Sequence, residues 1–228
     1  KNARKHNKLI IYMPVNEKNK LLYIHIPKCA GTYIENLFKL KSNILYSNTN
    51  IKPYIRTYQH YTMNMIIQTN RLKNVDTYTI FTTVRNPYYR FLSAYEQYPT
   101  RCNAEFKKMI NNMSYVEFAK YLLDKINKEG VDFFQYGAYH QFQPMVQYIK
   151  NDKNIEVQPI KIDEPNFENE LQTLCKKYHV SYSNTRMNSN KTPDTYNYYD
   201  EILDKTPMLK KYIQEIYKDD FTYFKYTI

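Results

Sequence analysis

The chain has 228 residues, enough for one domain with a full hydrophobic core. Its 33 Lys and Arg outnumber 22 Asp and Glu, and the net charge of +11 should attract anions such as nucleotides, acidic glycans or nucleic acid. No apolar run approaches the roughly 18 residues of a membrane-spanning helix, and the three cysteines, Cys29, Cys102 and Cys175, fit no zinc spacing.

Residues 1–20 read as a polar, basic arm or an edge strand, and residues 21–228 as a single domain. The chain opens on Lys rather than Met, so an N-terminal piece is expected to have been trimmed. Leu21–Ile26 is a short apolar run closed by Pro27, the pattern of a buried strand. After Gly31, Ile34, Leu37 and Phe38 recur at helical spacing. Thr77–Val84 is a second buried strand, rich in β-branched residues. Asn86-Pro87 then predicts a helix start, with an N-cap and a proline at the first helical position.

Ser114 and Glu117 form a capping box ahead of Ala119, Leu122, Leu123 and Ile126. Ile155–Ile162 reads as a third strand, and Glu164-Pro165 opens a helix with Phe167, Leu171, Leu174, Cys175 and Tyr178 on one face. Asp200–Lys218 reads as helix, and the tail FTYFKYTI as a returning strand or a surface segment. Strands alternating with helices predict an α/β fold, a central parallel β-sheet flanked by helices. Ligands of such sheets sit at the carboxyl ends of the strands.

Two strand ends carry unusual polar sequences. The first is HIPKCAGTY, residues 25–33. A helix start presents unpaired N–H groups and the positive end of the helix dipole. Gly31 lets a phosphate approach, Thr32 adds a hydroxyl and Lys28 a full charge. Glycine is informative here because the chain has only three. Lys28 precedes Gly31, so this is not the GxxxxGK[ST] loop. Nor does the second strand end in the Asp that would hold magnesium. Position 35 is Glu, not the Arg of a phosphatase loop built on Cys29. The loop is therefore expected to hold phosphate without a metal. The bland alternative is an ordinary strand–helix turn.

The second site is Arg85, at the end of its strand, with Ser93 two turns into the next helix. Arg grips phosphate through paired N–H bonds, and Ser adds a hydroxyl. Alone, a surface Arg and a mid-helix Ser bonded to its own backbone would explain the pair better. Beside the first loop, it suggests a ligand with two phosphates.

Together the segments are recognisable. IHIPKCAGTYIENLF resembles the 5′-phosphosulfate loop, usually H-I-P-K-T-G-G-T, of the heparan and chondroitin sulfate type of carbohydrate sulfotransferases. FTTVRNPYYRFLSAYEQY resembles their 3′-phosphate segment, V-R-[ND]-P-x-x-R-x-x-S-x-Y. QHYTMNMI, HQFQPMVQYI and NSNKTPDTYNYYD resemble further family stretches, so the likeness spans residues 21–228. Cys29 and Ala30 depart from the usual Thr-Gly.

The resemblance implies a P-loop-NTPase-like sulfotransferase fold and 3′-phosphoadenosine 5′-phosphosulfate (PAPS) as donor, with no metal. It implies a hydroxyl acceptor, a glycan or glycoconjugate. Lys28 would stabilise the leaving oxygen. Backbone N–H groups along Cys29, Ala30, Gly31, Thr32 and Tyr33 would hold the 5′-phosphate, and Arg85 and Ser93 the 3′-phosphate. Lys191, with Asn188 and Asn190 beside it, lies in a segment resembling a loop that closes over the nucleotide. Arg90 would help the 3′-phosphate site or be a solvated helix residue. His60 is the base expected, with an ordinary pKa near 6.5 suited to the task. His140 and Glu35 stand behind it, and His25 reads as a packed core residue. Related animal enzymes work in the Golgi lumen behind an N-terminal anchor. A trimmed anchor would imply that compartment here, and its absence the cytoplasm.

Three rivals remain at this level. One is a kinase with a degenerate phosphate loop. Another is a sulfotransferase-like protein that binds nucleotide or glycan without catalysis. The third is a basic nucleic-acid-binding module that uses its 26 tyrosines for stacking. The tyrosines fall largely on apolar helix and strand positions, which favours core packing instead.

Overall fold

The computed structural model describes residues 13–40, 58–70, 72–97, 104–135, 137–182 and 193–228. In chain order the main elements are β1 (Val15–Asn16), β2 (Leu21–Ile24), α1 (Gly31–Leu37), α2 (Met63–Thr69), β3 (Thr79–Val84), α3 (Pro87–Gln97), α4 (Ala104–Asn111) and α5 (Tyr115–Glu129). They continue through α6 (Val146–Ile149), β4 (Gln158–Lys161), α7 (Phe167–Lys177), α8 (Pro193–Lys205), α9 (Pro207–Ile216) and α10 (Lys218–Phe224). Short 3-10 turns occupy Tyr58–His60 and Gly137–Phe142.

Among the described residues the sheet has four strands in the order β1-β2-β3-β4. β2, β3 and β4 are parallel, and β1 pairs antiparallel at one edge. The α/β expectation holds, with that antiparallel edge added. Met13 and Val15 are buried, so the sheet begins before residue 21, as the edge-strand alternative for the arm had it.

Both faces of the sheet are covered, which is why β2 reads as an unbroken apolar run and β3 as a buried run of β-branched and apolar residues. Leu22, Ile24, Ile80 and Val84 face one core with Met63, Ile66, Met145 and Tyr148. Leu21, Tyr23 and Phe81 face the other with Ile34, Phe38, Phe167 and Leu171. A third, helical core joins Phe91, Phe118, Leu122, Phe142, Leu209, Ile213 and Phe221. Tyr23, Tyr61, Tyr78, Tyr148, Tyr199 and Tyr217 are all buried, so core packing accounts for much of the tyrosine content.

Local chemistry sets several boundaries. Tyr88 N–H donates to Asn86 Oδ1 at 3.0 Å and α3 starts at Pro87, as expected. The capping box also forms, with Ser114 N–H donating to Glu117 Oε2 at 2.7 Å. The third strand is shorter than expected. The Asn151 side chain takes both backbone groups of Ile155, at 2.8 and 2.9 Å, and so withholds them from the ladder. The expected Asp200–Lys218 helix is broken, since α8 ends at Lys205 and Pro207 starts α9. The first half of the tail is corrected from strand to helix, which runs through Phe224, and residues 225–228 follow it as a largely exposed segment. In α10, Asp220, Phe221 and Phe224 turn inward at helical spacing. Among the described residues, no helix is long and apolar enough to cross a membrane.

Candidate functional site

Because β2 and β3 are parallel, their carboxyl ends share one edge. There the chain leaves β2 through residues 25–30 into α1, and leaves β3 through Arg85 into α3. Lys28 and Ala30 have φ of 69° and 61°, the left-handed region that residues with a Cβ seldom adopt. The Ala30 carbonyl accepts from Tyr33 N at 3.0 Å and Ile34 N at 3.2 Å, which starts the helix. Tyr33 therefore spends its N–H inside the protein. Among the described residues, the N–H groups of Gly31 and Thr32 meet no acceptor.

The strands pin this loop from below. Thr82 Oγ1 donates to the Ile24 carbonyl at 2.7 Å. Thr83 Oγ1 donates to the Cys29 carbonyl and so accepts from the Tyr23 hydroxyl at 2.5 Å. The Cys29 thiol points away, 3.8 Å from Met145 Sδ, and burial pushes it up to about 12. It is a protonated core group at neutral pH, so Cys29 can offer a ligand only its backbone. Lys28 is half-buried and its Nζ donates to Gln97 Oε1 on α3.

Arg85 is 2% exposed, yet among the described residues its Nε and Nη2 have no hydrogen-bond partner. The guanidinium lies 5.3 Å from the Tyr196 ring centre and 5.9 Å from that of Tyr89. Asp163 feels its charge, but the Asp163 carboxyl accepts from Asn86 N–H at 2.5 Å and the Tyr226 hydroxyl at 2.9 Å. Burial pushes the Asp163 carboxyl up despite Arg85. Ser93 is buried beside Tyr199, whose hydroxyl also donates to Glu96 Oε2 at 2.6 Å.

Arg90 behaves differently from the expectation that paired it with the phosphate site. It is 1% exposed, and donates from Nε to the Pro27 carbonyl at 3.1 Å. Its Nη2 donates to the carbonyls of Gln141 at 3.0 Å and Gln143 at 2.9 Å. Arg90 is therefore not a solvated residue, and its Nε and Nη2 are spent on backbone rather than on phosphate. It ties the turn before Lys28 to the segment carrying His140.

His60 sits in its turn just ahead of α2, and three imidazoles line up there. The rings of His25 and His60 meet at 4.6 Å between centres, and those of His60 and His140 at 5.6 Å. His60 Nδ1 lies 3.1 Å from the His25 carbonyl. A carbonyl only accepts, so Nδ1 carries the proton and Nε2 is the basic nitrogen of neutral His60. Glu35, a runner-up for the base, is buried with an oxygen 2.6 Å from His25 Nδ1.

A model of the sulfotransferase family matches residues 12–227. The chain belongs to the sulfotransferase family. Sulfuryl transfer is the chemistry of that family, and its members generally use PAPS. Searches of curated proteins and of solved structures returned no match.

In this sulfotransferase the two candidate segments meet at one sheet edge, with Lys28 reaching α3 and His60 reaching the end of β2. Lys191, Asn188 and Asn190, like Cys102, lie outside the described residues. Sequence reasoning missed Gln97, Thr83, Gln59 and the tyrosines around Arg85. Nothing in their spacing marks them, and all but Tyr89, four residues after Arg85, reach the site across a tertiary contact. Arg90 did carry a signal: it interrupts the apolar stretch that continues as Phe91-Leu92.

Proposed function

We propose that this sulfotransferase moves a sulfuryl group from PAPS to a hydroxyl of a carbohydrate acceptor. The observation that carries the reading is Arg85. A buried guanidinium with two unmet donors is costly unless an anion completes it. A terminal phosphate offers the matching oxygens. The 3′-phosphate of PAPS fits there, with Ser93 alongside. Gly31 and Thr32 offer N–H groups and a hydroxyl to the 5′-phosphate, together with the backbone of Ala30 and Cys29.

Lys28 would leave Gln97 to stabilise charge on the oxygen released as the sulfur–oxygen bond breaks. His60 Nε2 takes the proton of the acceptor hydroxyl as its oxygen bonds to sulfur in line. Adenosine 3′,5′-bisphosphate and the sulfated acceptor are the products. The loop's likeness to glycan sulfotransferases supports the carbohydrate, and the net charge of +11 agrees with an anionic one. The domain assignment is carried by the same likeness, with one catalytic unit that takes in residues 21–228 and the edge strand β1 ahead of them.

Calorimetry with adenosine 3′,5′-bisphosphate, without magnesium, is the test. Wild type should bind, and Arg85→Ala should lose affinity about 100-fold. A folded wild type that does not bind overturns the reading. Binding without sulfate transfer from labelled PAPS, across a panel of glycans and simple alcohols, would point to an inactive nucleotide-binding relative.

A further inference from the structure

Glu35 and His25 belong to no expected phosphate contact, yet they sit between the loop and the candidate base. Glu35 is on α1, one turn past the phosphate loop. Its side chain is 5% exposed and that of His25 is 7% exposed. A buried carboxylate is retained only where it is well paired, and here it is held from two directions. One oxygen meets His25 Nδ1 at 2.6 Å. Both oxygens accept from Gln59 Nε2, at 3.0 and 2.9 Å.

Gln59 is the neighbour of His60 in the same 3-10 turn. The carboxylate thus grips the turn that carries His60. His25 grips the same residue, through its carbonyl on His60 Nδ1 and through the edge-on ring contact. His25 also reaches the loop. A Cβ on Gly31 would come within 2.1 Å of His25 Nε2. The imidazole therefore fills the space that only glycine leaves at the start of α1. This is a second reason for Gly31, independent of phosphate access.

We propose that Glu35 and His25 are positioning residues for sulfuryl transfer, fixing the orientation of His60 through hydrogen bonds and, through the packing of the His25 ring, the glycine of the donor loop. The pair holds His60 as the Nδ1–H tautomer, with Nε2 turned basic, at a set distance from the loop. Neither Glu35 nor His25 touches the reacting atoms in this role. The inference rests on the sulfuryl-transfer reading for its consequence, but its geometry can be measured without that reading.

The test uses Glu35→Gln, which keeps the size of the side chain and removes its charge. It also sets one amide N–H₂ against the donor of Gln59. Three measurements are made on the full chain: calorimetry with adenosine 3′,5′-bisphosphate, sulfate release from labelled PAPS with water as acceptor, and the ring ¹⁵N shifts of His60. Wild type should show His60 as the Nδ1–H tautomer. Glu35→Gln should bind the bisphosphate within about threefold of wild type, release sulfate at least about tenfold more slowly and show mixed His60 tautomers. Unchanged release together with an unchanged tautomer overturns the proposal, as does an Nε2–H tautomer in wild type. If wild type neither binds bisphosphate nor releases sulfate, the functional reading has failed, and the tautomer comparison still decides the positioning. Should Glu35→Gln not fold, Gln59→Met cuts only the link to the turn and must produce the same tautomer mixture.

Discussion

Arg85 and Arg90 stand five residues apart and are equally buried, at 2% and 1% exposure. Their hydrogen bonds are opposite. Arg90 spends its Nε and Nη2 on three backbone carbonyls from two distant segments. Arg85 has rings on its flanks and leaves its Nε and Nη2 unmet. A buried guanidinium satisfied by carbonyls is part of the fold. One flanked by aromatic faces, with Nε and Nη2 unmet among the described residues, is what the proposed phosphate grip requires. The difference separates clamp from grip more sharply than either burial or charge.

The comparison breaks first at Arg90. Arg90→Ala leaves three carbonyls unmet and a cavity, and should cost about 3–5 kcal/mol of stability in urea unfolding. A loss under about 1 kcal/mol would remove the clamp. Arg85→Ala should have the reverse profile. Its unfolding free energy should stay within about 1 kcal/mol of wild type while bisphosphate affinity falls about 100-fold, because no intraprotein hydrogen bond is lost from Nε or Nη2.

Asp220 sharpens the clamp side. It is fully buried, and its carboxylate accepts from Met145 N and Val146 N at 2.8 Å each. Burial pushes its carboxyl up to about 6, against the pull of Arg90. A carboxyl raised in the folded state binds its proton more tightly there than when unfolded. Stability from this group is therefore greatest in acid and is lost as pH rises through about 6. Wild type measured against Asp220→Asn should be about 1 kcal/mol better placed at pH 5 than at pH 7. A flat difference between those pH values would mean that Asp220 stays charged throughout.

The smallest effect concerns the loop that Arg90 steadies through Pro27. Ala30 holds a left-handed conformation, at φ 61°, where the resembling family usually has glycine. Ala30→Gly should raise stability by about 0.5–1 kcal/mol, read as a higher midpoint in urea, since glycine adopts that conformation without steric cost. A lower midpoint would show that the alanine methyl contributes more by packing than its backbone costs.

Much of this was legible beforehand. Leu21–Ile24, Thr79–Val84 and their helices announce themselves through apolar runs and caps at Asn86 and Ser114, which depend on neighbours in sequence. The three-residue offset between Lys28 and Gly31 excluded a nucleoside triphosphatase loop, and the two motifs in order pointed to the family. The tail misled because FTYFKYTI has the composition of a strand. Its helix exists because Asp220 caps α6 and Phe221 and Phe224 fill two cores, contacts made 60 residues and more away in sequence.

The sequence by itself determined the central strands and the helices that follow them, the two polar strand ends and the family they resemble, because propensity, capping and motif spacing act over a few residues. Only the tertiary structure decided what each polar side chain does. It separated Arg85 from Arg90, turned Cys29 into the core and joined Glu35, His25 and His60 into one unit. Those outcomes depend on which carbonyls, rings and carboxylates meet across the sheet edge, and no local pattern encodes them.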